Sequence, residues 1–237
     1  MMRNFAVLAG AGDPLFGYYL KAIECRGLRP VAIIVDQKAM TPKDQAIFAE
    51  RTLGRILPMP PLELPRERYH FVSSHNDEDT LKLICDSGVD FIVSAGTPRI
   101  LREPILKVTP FGVMNCHPGL LPEFRGCSCV EWAIYLDRPL GVTVHRMTEG
   151  IDEGPVLLRR QFDVTDGDRY EDVRIKAYME ACSALADASL CLSNGRLNES
   201  SFINQSGGRY FPPITPDQLK TVKDKLAVGA YRPKDML

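Results

Sequence analysis

The sequence lacks an excess of charge of either sign and any long run of apolar residues. It has 237 residues, with 29 Lys and Arg against 30 Asp and Glu and a formal net charge of −1. Because a basic surplus is what draws a protein to polyanions, we expect neither nucleic acid nor a membrane as partner. No stretch reaches the roughly 18 apolar residues of a membrane-spanning helix. These absences favour a soluble globular protein with one large domain.

Cysteines are present, but the spacings of disulfide frameworks and zinc sites are missing. The seven cysteines are an odd number, and Cys127 and Cys129 lie near His117 without the paired C-x-x-C spacing of a zinc site. We therefore expect no metal. Arg3 and Asn4 precede only a short apolar run, which does not resemble a signal peptide. We expect a reduced, cytoplasmic protein.

The dinucleotide-binding fingerprint is incomplete in GAGDPLFG (10–17), the turn after the first apolar run. Its first two glycines match G-x-G-x-x-G, but Leu15 stands where the third belongs. Pro14 also lacks the N–H that a phosphate-binding loop would use. A nicotinamide cofactor is therefore not expected. A tight turn beside a substrate fits better and makes Gly12 and Asp13 candidate substrate-binding residues.

The first half of the chain does contain alternating strand and helix signals. Apolar runs predict strands at 5–10, 30–36, 70–74 and 89–96, and the segments between them predict helices at 14–27, 42–53 and 77–87. A proline-rich stretch from 58 to 65 predicts an irregular loop. This alternation predicts an α/β fold with a mostly parallel, Rossmann-like sheet and helices on both faces.

The second half changes character. After a strand ending at 117 and a helix around 128–136, two strand signals at 141–147 and 155–164 are joined by a short acidic loop. Such neighbours are usually antiparallel, so the second half should add an antiparallel strand pair.

A long helix should follow this pair and end the main body. Asp168 with Glu171 resembles a capping box at its start, and Asn194-Gly195 is a good stop. We expect a catalytic domain over 1–197 and a short C-terminal extension over 198–237 that packs on it.

Asn115 and His117 are the strongest candidates for chemistry. They lie two residues apart at a strand end, where the period of two places both side chains on one face. Ligands of open α/β sheets bind beyond the carboxyl ends of the strands, which brings together 11–14, 96–99, 115–119 and 150–154. The last of these segments contains Asp152. On the pair alone, a satisfied structural histidine remains the alternative.

An amide beside an imidazole suits acyl-type transfer without a protein nucleophile. Asn115 can donate to an oxyanion, His117 can move protons near neutral pH, and a carboxylate can fix the tautomer of the imidazole. Ser-His-Asp hydrolysis fits poorly, because no serine stands in a G-x-S-x-G elbow. Cys116 should point to the opposite face of the strand, as a core residue.

Three linked motifs make the interpretation more specific. NCHPGLLPEFRG (115–126), GVTVHRMTEGIDEGPVLLRR (141–160) and GTPRIL (96–101) resemble, in order and spacing, the formyltransferases that use 10-formyltetrahydrofolate. The resemblance runs from about residue 89 to 197. Before it, the chain agrees in β-α-β pattern more than in motif.

The resemblance implies roles for individual residues. Asn115 would hold the formyl oxygen, His117 would act as general acid and base, and Asp152 would position His117 and relay protons. The folate would lie against five residues: Arg99, Ile100, Leu101, Met147 and Gly150. For Ile100 and Leu101 the alternative is plain core. Gly119 stands where the family often has Ser and is expected to lie beside the substrate.

The resemblance leaves the amine acceptor open. A tRNA acceptor is disfavoured by the net charge and by the short extension. Glycinamide ribonucleotide fits the length, but the turn at 12–14 lacks a polar phosphate-binding run. A sugar-nucleotide N-formyltransferase is the nearest match, supported by QSGGRYF (205–211). The alternatives are the purine-synthesis enzyme and a non-catalytic folate- or nucleotide-binding module. Pairing of tails or edge strands could form a homodimer.

Overall fold

The computed structural model describes residues 2–60 and 63–234. Pro61 of the predicted proline-rich loop lies outside the described residues. So do Met1 of the predicted catalytic domain and residues 235–237 of the predicted extension.

A seven-stranded sheet organises the body. Its strands are β1 Phe5–Gly10, β2 Ala32–Asp36, β3 Tyr69–Val72, β4 Phe91–Ser94, β5 Val113–His117, β7 Leu140–Arg146 and β8 Val156–Phe162, and their spatial order is β3-β2-β1-β4-β5-β7-β8. The first five strands in this order are parallel, whereas β7 is antiparallel to both β5 and β8. The predicted α/β class, with its antiparallel pair in the second half, is confirmed. A separate two-stranded ribbon, which the sequence did not predict, pairs β6 Arg125–Gly126 with β9 Tyr210–Phe211.

Six α-helices accompany the described strands: α1 Phe16–Glu24, α2 Pro42–Thr52, α3 Glu78–Asp86, α4 Cys129–Tyr135, α5 Tyr170–Ser193 and α6 Pro216–Ala227. Helix α2 starts where Thr41 accepts a hydrogen bond from the Asp44 N–H and Pro42 supplies the first turn. Helix α5 ends at the predicted stop, with Gly195 in the left-handed region at φ +76°.

The predicted start of α5 was wrong by one residue. Asp172, rather than Glu171, accepts a hydrogen bond from the backbone N–H that precedes the helix, that of Arg169, at 2.9 Å. Asp168 instead accepts from the Thr165 N–H and pairs with Lys176. Its carboxylate closes the turn before the helix, so the capping box lies one residue later, at Arg169 and Asp172.

Each face of the sheet is covered by its own layer of apolar residues and helices. On one face, Val7, Met114 and Val144 pack against α1 and α5. On the other face, Leu8, Ile92 and Val113 pack against α3 and the turn at Ile105–Lys107. Alternate residues of the same strands therefore serve opposite layers, as the period of two requires.

The C-terminal extension shares a core with the body. Phe211, Val222, Leu226 and Tyr231 are buried together with residues of α4 and the first half of α5. The Phe211 ring stacks on Phe124 with 5.1 Å between the centroids. The extension is thus packed on the body, as expected.

Over the described range, no helix is both long and apolar enough to cross a membrane.

Candidate active site

The end of β5 presents Asn115 and His117 on one face of the sheet. Their neighbours Met114 and Cys116 are buried on the opposite face, in the layer that packs against α5. Burial raises the pKa of the Cys116 thiol well above its ordinary value, which suits a core residue and not a nucleophile.

The turn after His117 is fixed by Thr143 of the neighbouring strand. The buried Thr143 hydroxyl donates to the Gly119 carbonyl at 2.7 Å and accepts from the Leu121 N–H at 3.0 Å. Thr143 is the register partner of His117 on β7. The Pro-Gly-Leu-Leu-Pro segment is therefore held to the sheet directly beside the histidine.

Gly119 lies where a side chain would collide with His117. A Cβ built on it would come within 2.7 Å of His117 Nε2 and 2.9 Å of Cys129 Cβ. A side chain at this position would therefore require the imidazole or Cys129 to shift. The predicted substrate-binding role of Gly119 stays a prediction, and its visible role is to admit the imidazole.

Both ring nitrogens of His117 have polar partners. Nε2 lies 2.8 Å from the Phe124 carbonyl oxygen, and Nδ1 lies 3.2 Å from Asp152 Oδ2. Because a carbonyl oxygen only accepts, Nε2 carries a hydrogen, which leaves Nδ1 of the neutral ring without one and facing the Asp152 carboxylate. Burial lowers the pKa of His117, while Asp152 and the Phe124 carbonyl act against it.

Asp152 lies on the loop between β7 and β8, which folds back over the polar face of β5. Its backbone is in the left-handed region at φ +54°, a conformation that a non-glycine residue keeps only when its surroundings hold it. Its Oδ2 accepts from the Gly126 N–H at 2.9 Å and faces His117. Asn115, His117 and Asp152, which the sequence predicted to meet at one edge of the sheet, form one cluster.

His145 completes this cluster, and the sequence analysis missed it. It is the register partner of Asn115 on β7, and its Nε2 lies 3.4 Å from the Asn115 amide nitrogen and 3.7 Å from Asp152 Oδ1. Burial first, then the neighbouring His117, lowers its pKa to about 4, so it is neutral at pH 7. The alternation in GVTVHRM already put Thr143 and His145 on one face, and only the strand register was lacking.

Two of the five predicted folate-binding residues, Met147 and Gly150, line a cavity of about 580 Å³. Its charged lining is balanced, because Lys107 and Arg146 stand beside Glu103 and Glu149, and Lys107 pairs with Glu103. Leu106, Pro110 and Pro155 add apolar surface. Leu101 is buried in the hydrophobic cluster that contains Leu106 and packs against Met147. Leu101 therefore contacts the hydrophobic cluster that also includes cavity-lining residues, but it does not line the cavity itself.

Arg99 and Ile100 do not line that cavity. The Arg99 guanidinium pairs with the fully buried Asp36, with 2.6 Å between Nε and Oδ2, and donates to the Ser73 carbonyl. Ile100 is 73% exposed, so it is not the core residue that the alternative interpretation expected. Contact of either residue with folate stays a prediction.

Gly12 and Asp13 lie in the turn after β1, close to the loop after β4. Gly12 has φ +77°, and nothing lies within 4 Å of the position its Cβ would take. The Asp13 carboxylate accepts from the Leu15 N–H at 2.8 Å and packs against Gly96. Burial raises the pKa of Asp13 to about 6.

Strand register places this turn level with the cluster. Leu8 is level with Ser94, and Val93 is level with Met114, which aligns Gly10, Gly96 and His117 across three strands. At about 4.8 Å between neighbouring strands, β1 and β5 lie about 10 Å apart. A small ligand could therefore contact both the turn at Gly12 and Asp13 and the His117 side chain.

No metal centre accompanies the cluster. Within 2–60 and 63–234, no three or more His, Cys, Asp or Glu side chains are placed to hold an ion. Cys127 is exposed and Cys129 buried, which leaves that pair without a ligand geometry.

The open, Rossmann-like sheet with a cluster of histidine, carboxylate and amide side chains at a strand end makes this an α/β protein with one candidate active site. A family model described as Formyl transferase matches residues 11–188, well over half of the chain. The chain belongs to the formyl transferase family.

Sequence relatives include the methionyl-tRNA formyltransferase of Anaeromyxobacter dehalogenans, which is 36% identical over 109 residues. That match covers 46% of this chain and 35% of the relative, so the chain spans about a third of the length of such relatives.

Solved structures extend the likeness over more of the chain. A glycinamide ribonucleotide transformylase from Symbiobacterium toebii has a TM-score of 0.61 at 24% identity, covering 86% of this chain and 95% of that one. The formyltransferase PseJ from Anoxybacillus kamchatkensis, in complex with a UDP-formamido sugar and tetrahydrofolate, has a TM-score of 0.57 at 17% identity. It covers 96% of this chain and 98% of that one, which shows a common fold.

Proposed function

We propose that this protein transfers a formyl group from 10-formyltetrahydrofolate to the amino group of a small molecule. The observation that carries the proposal is the cluster of Asn115, His117 and Asp152, with 3.2 Å between His117 Nδ1 and Asp152 Oδ2. An amide donor and a proton-holding pair side by side are what acyl transfer to an amine requires.

The chain's residues act on charge and protons during the transfer. When the acceptor amine attacks the formyl carbon, negative charge develops on the formyl oxygen, and the Asn115 amide donates a hydrogen bond to it. The amine becomes acidic as it forms the new C–N bond, so the His117 Nδ1–Asp152 pair takes its proton. The same proton is returned to the departing folate nitrogen, so atoms and charge balance without a covalent enzyme intermediate.

The cavity beside the Asp152 loop suits the folate donor. Apolar lining from Leu106, Met147 and Pro155 fits flat rings. When bound, the donor supplies an activated formyl group.

The proposed acceptor is an amino sugar nucleotide. One observation supports it over glycinamide ribonucleotide. The turn at 12–14 carries the Asp13 carboxylate, which repels a phosphate but accepts hydrogen bonds from sugar hydroxyls or an ammonium group.

A substrate panel tests this function. The protein is incubated with 10-formyltetrahydrofolate and, in turn, glycinamide ribonucleotide, several amino sugar nucleotides and methionyl-tRNA, and products are identified by mass spectrometry. We expect a formylated sugar nucleotide. Product from glycinamide ribonucleotide or tRNA alone would overturn the acceptor, and no formyl transfer to any amine would overturn the function.

Asn115→Ala gives the matching variant. Removal of one oxyanion donor should lower kcat about 100-fold or more while tetrahydrofolate still binds. The control is Asn204→Ala, because Asn204 is an exposed amide in the extension. Equal turnover by the two variants would contradict the role of Asn115.

A further inference from the structure

The C-terminal extension reaches Asp152 by two routes. In the first, Gln205 Nε2 donates to the backbone carbonyl of Asp152 at 2.9 Å and to that of Gly154 at 2.5 Å. In the second, β9 pairs with β6, and the β6 residue Gly126 donates its N–H to Asp152 Oδ2. The backbone of Asp152 is therefore bound directly by the extension, and its side chain is bound by Gly126, which pairs with the extension.

Gly126 is placed by close contact with the extension. A Cβ on Gly126 would come within 2.6 Å of both the Phe211 carbonyl oxygen and the Tyr210 ring, and its φ is +90°. The Cys127 N–H donates to the same Phe211 carbonyl at 2.9 Å. The N–H that binds Asp152 thus has its direction set by β9.

The loop that carries Asp152 is closed at its base, where the Arg146 N–H donates to the Pro155 carbonyl at 2.9 Å. Its Thr148 hydroxyl donates to the Gly150 carbonyl at a long 3.4 Å, while Asp152 keeps a left-handed backbone. Such a conformation persists only where neighbouring groups hold it. The two hydrogen bonds from Gln205 lie on either side of Glu153 and span this part of the loop.

We propose that Gln205 is a positioning residue, which holds Asp152 against His117 and so prepares the proton-carrying pair. This inference rests on the proposed function for its kinetic consequence, but its structural consequence can be measured without any substrate. The competing explanation is that Gln205 only anchors the extension, through Arg125, whose Nη2 donates to Gln205 Oε1 at 3.1 Å.

The imidazole titrations distinguish the two explanations. His117 faces Asp152 and the Phe124 carbonyl, and His145 faces Asp152, His117 and the Arg146 carbonyl. The Asp152 charge raises the pKa of both rings, so displacement of Asp152 lowers both. The chain has four histidines, which makes assignment by single His→Gln variants practical.

The test compares Gln205→Met, a change of similar volume, with Asn204→Met on the exposed neighbouring amide. We expect Gln205→Met to lower the NMR titration midpoint of His117 by about 0.5 or more in pH, and Asn204→Met to leave it in place. An unchanged His117 midpoint in Gln205→Met overturns the inference, whether the only effect is lower stability or none.

Kinetics of the same variants provide the second readout. With the acceptor identified in the substrate panel, kcat of Gln205→Met should fall about tenfold. The acidic limb of its pH–rate profile should move to lower pH. KM for the folate should stay within about twofold, because Met147 is fixed separately by its N–H to the Val113 carbonyl. A wild-type protein that transfers no formyl group would overturn the proposed function, while the imidazole titrations would still decide the role of Gln205.

Discussion

Two buried histidines share one carboxylate at the end of β5, and their protonation is tied to the fold. Burial lowers the pKa of both His117 and His145, and Asp152 between them only partly compensates. Neutral imidazoles at pH 7 leave the His117–Asp152 pair free to take up a proton. Acid, in contrast, forces positive charge onto buried imidazoles.

His145→Gln should flatten the acid dependence of stability. With a pKa of about 4 in the folded state against about 6.5 when unfolded, His145 binds more protons in the unfolded chain across that window. Stability therefore falls as pH drops from 6.5 to 4, by up to about 3 kcal/mol from this group. Urea unfolding of both proteins between pH 7.5 and 4.5 checks this. An acid limb as steep as that of the wild type would contradict it, since the parts due to His117, His75 and ion-paired carboxylates such as Asp36 remain while the part due to His145 is lost.

Asp13→Asn should change stability in the opposite sense. Its folded pKa of about 6 lies above the 3.8 of an ordinary Asp, so the folded state binds more protons and loses stability as pH rises through this window. Replacing the buried carboxyl should stabilise the protein by about 1–3 kcal/mol at pH 7.5, with no gain below about pH 4. Denaturant unfolding at the two pH values measures the difference. A variant less stable than the wild type at pH 7.5 would show that the carboxylate has a stabilising partner.

At the level of elements, the strand β7 holds the turn that follows β5. Thr143 satisfies one carbonyl and one N–H of that turn from the position opposite His117. The strand pair thus supplies both the second histidine and the support for the first.

Thr143→Val tests this support, because valine keeps the shape and removes the hydroxyl. The Gly119 carbonyl and the Leu121 N–H would lose their partner in a buried place, which should lower the free energy of unfolding by about 2–4 kcal/mol. Thr221→Val is the control: Thr221 is exposed on α6, where its hydroxyl donates to the Asp217 carbonyl, and a change within about 0.5 kcal/mol is expected. Equal losses in the two variants would exclude a special role for Thr143.

The sequence predicted elements well and contacts between them poorly. Period-two alternation placed Asn115 and His117 on one face, because it depends only on local backbone geometry. His145 could not be found in the same way, since its place opposite Asn115 depends on how β7 aligns with β5. Arg99 shows the same limit: its partner Asp36 lies 63 residues away, at the end of β2. The link between Gln205 and Asp152 also depends on tertiary packing that no local pattern encodes.

At the scale of the whole molecule, the extension and the body form one folding unit. Phe211 packs between Phe124 and Trp132, with ring centroids 5.1 Å and 5.3 Å away. Leu226 and Tyr231 lie in the same core. A boundary at 197 therefore separates parts of the chain that share buried surface.

A chain that ends at Leu197 should not fold into a stable body. It would expose the apolar surface of α4 and leave Asp152 without Gln205, so we expect aggregation or a non-cooperative thermal transition by circular dichroism. Phe211→Ala in the full chain gives the graded version, with a loss of about 3–5 kcal/mol. A shortened chain that melts cooperatively near the wild-type temperature would contradict a shared core.

Trp132 is the only tryptophan in the chain, and it lies at the seam between body and extension. Its indole N–H donates to the Pro212 carbonyl at 2.8 Å, and its ring contacts Phe211 on one side and Tyr135 on the other. Undocking of the extension would expose this ring to water and shift its emission to the red. Trp132 fluorescence can therefore report, without a label and in real time, whether the C-terminal extension is packed on the body.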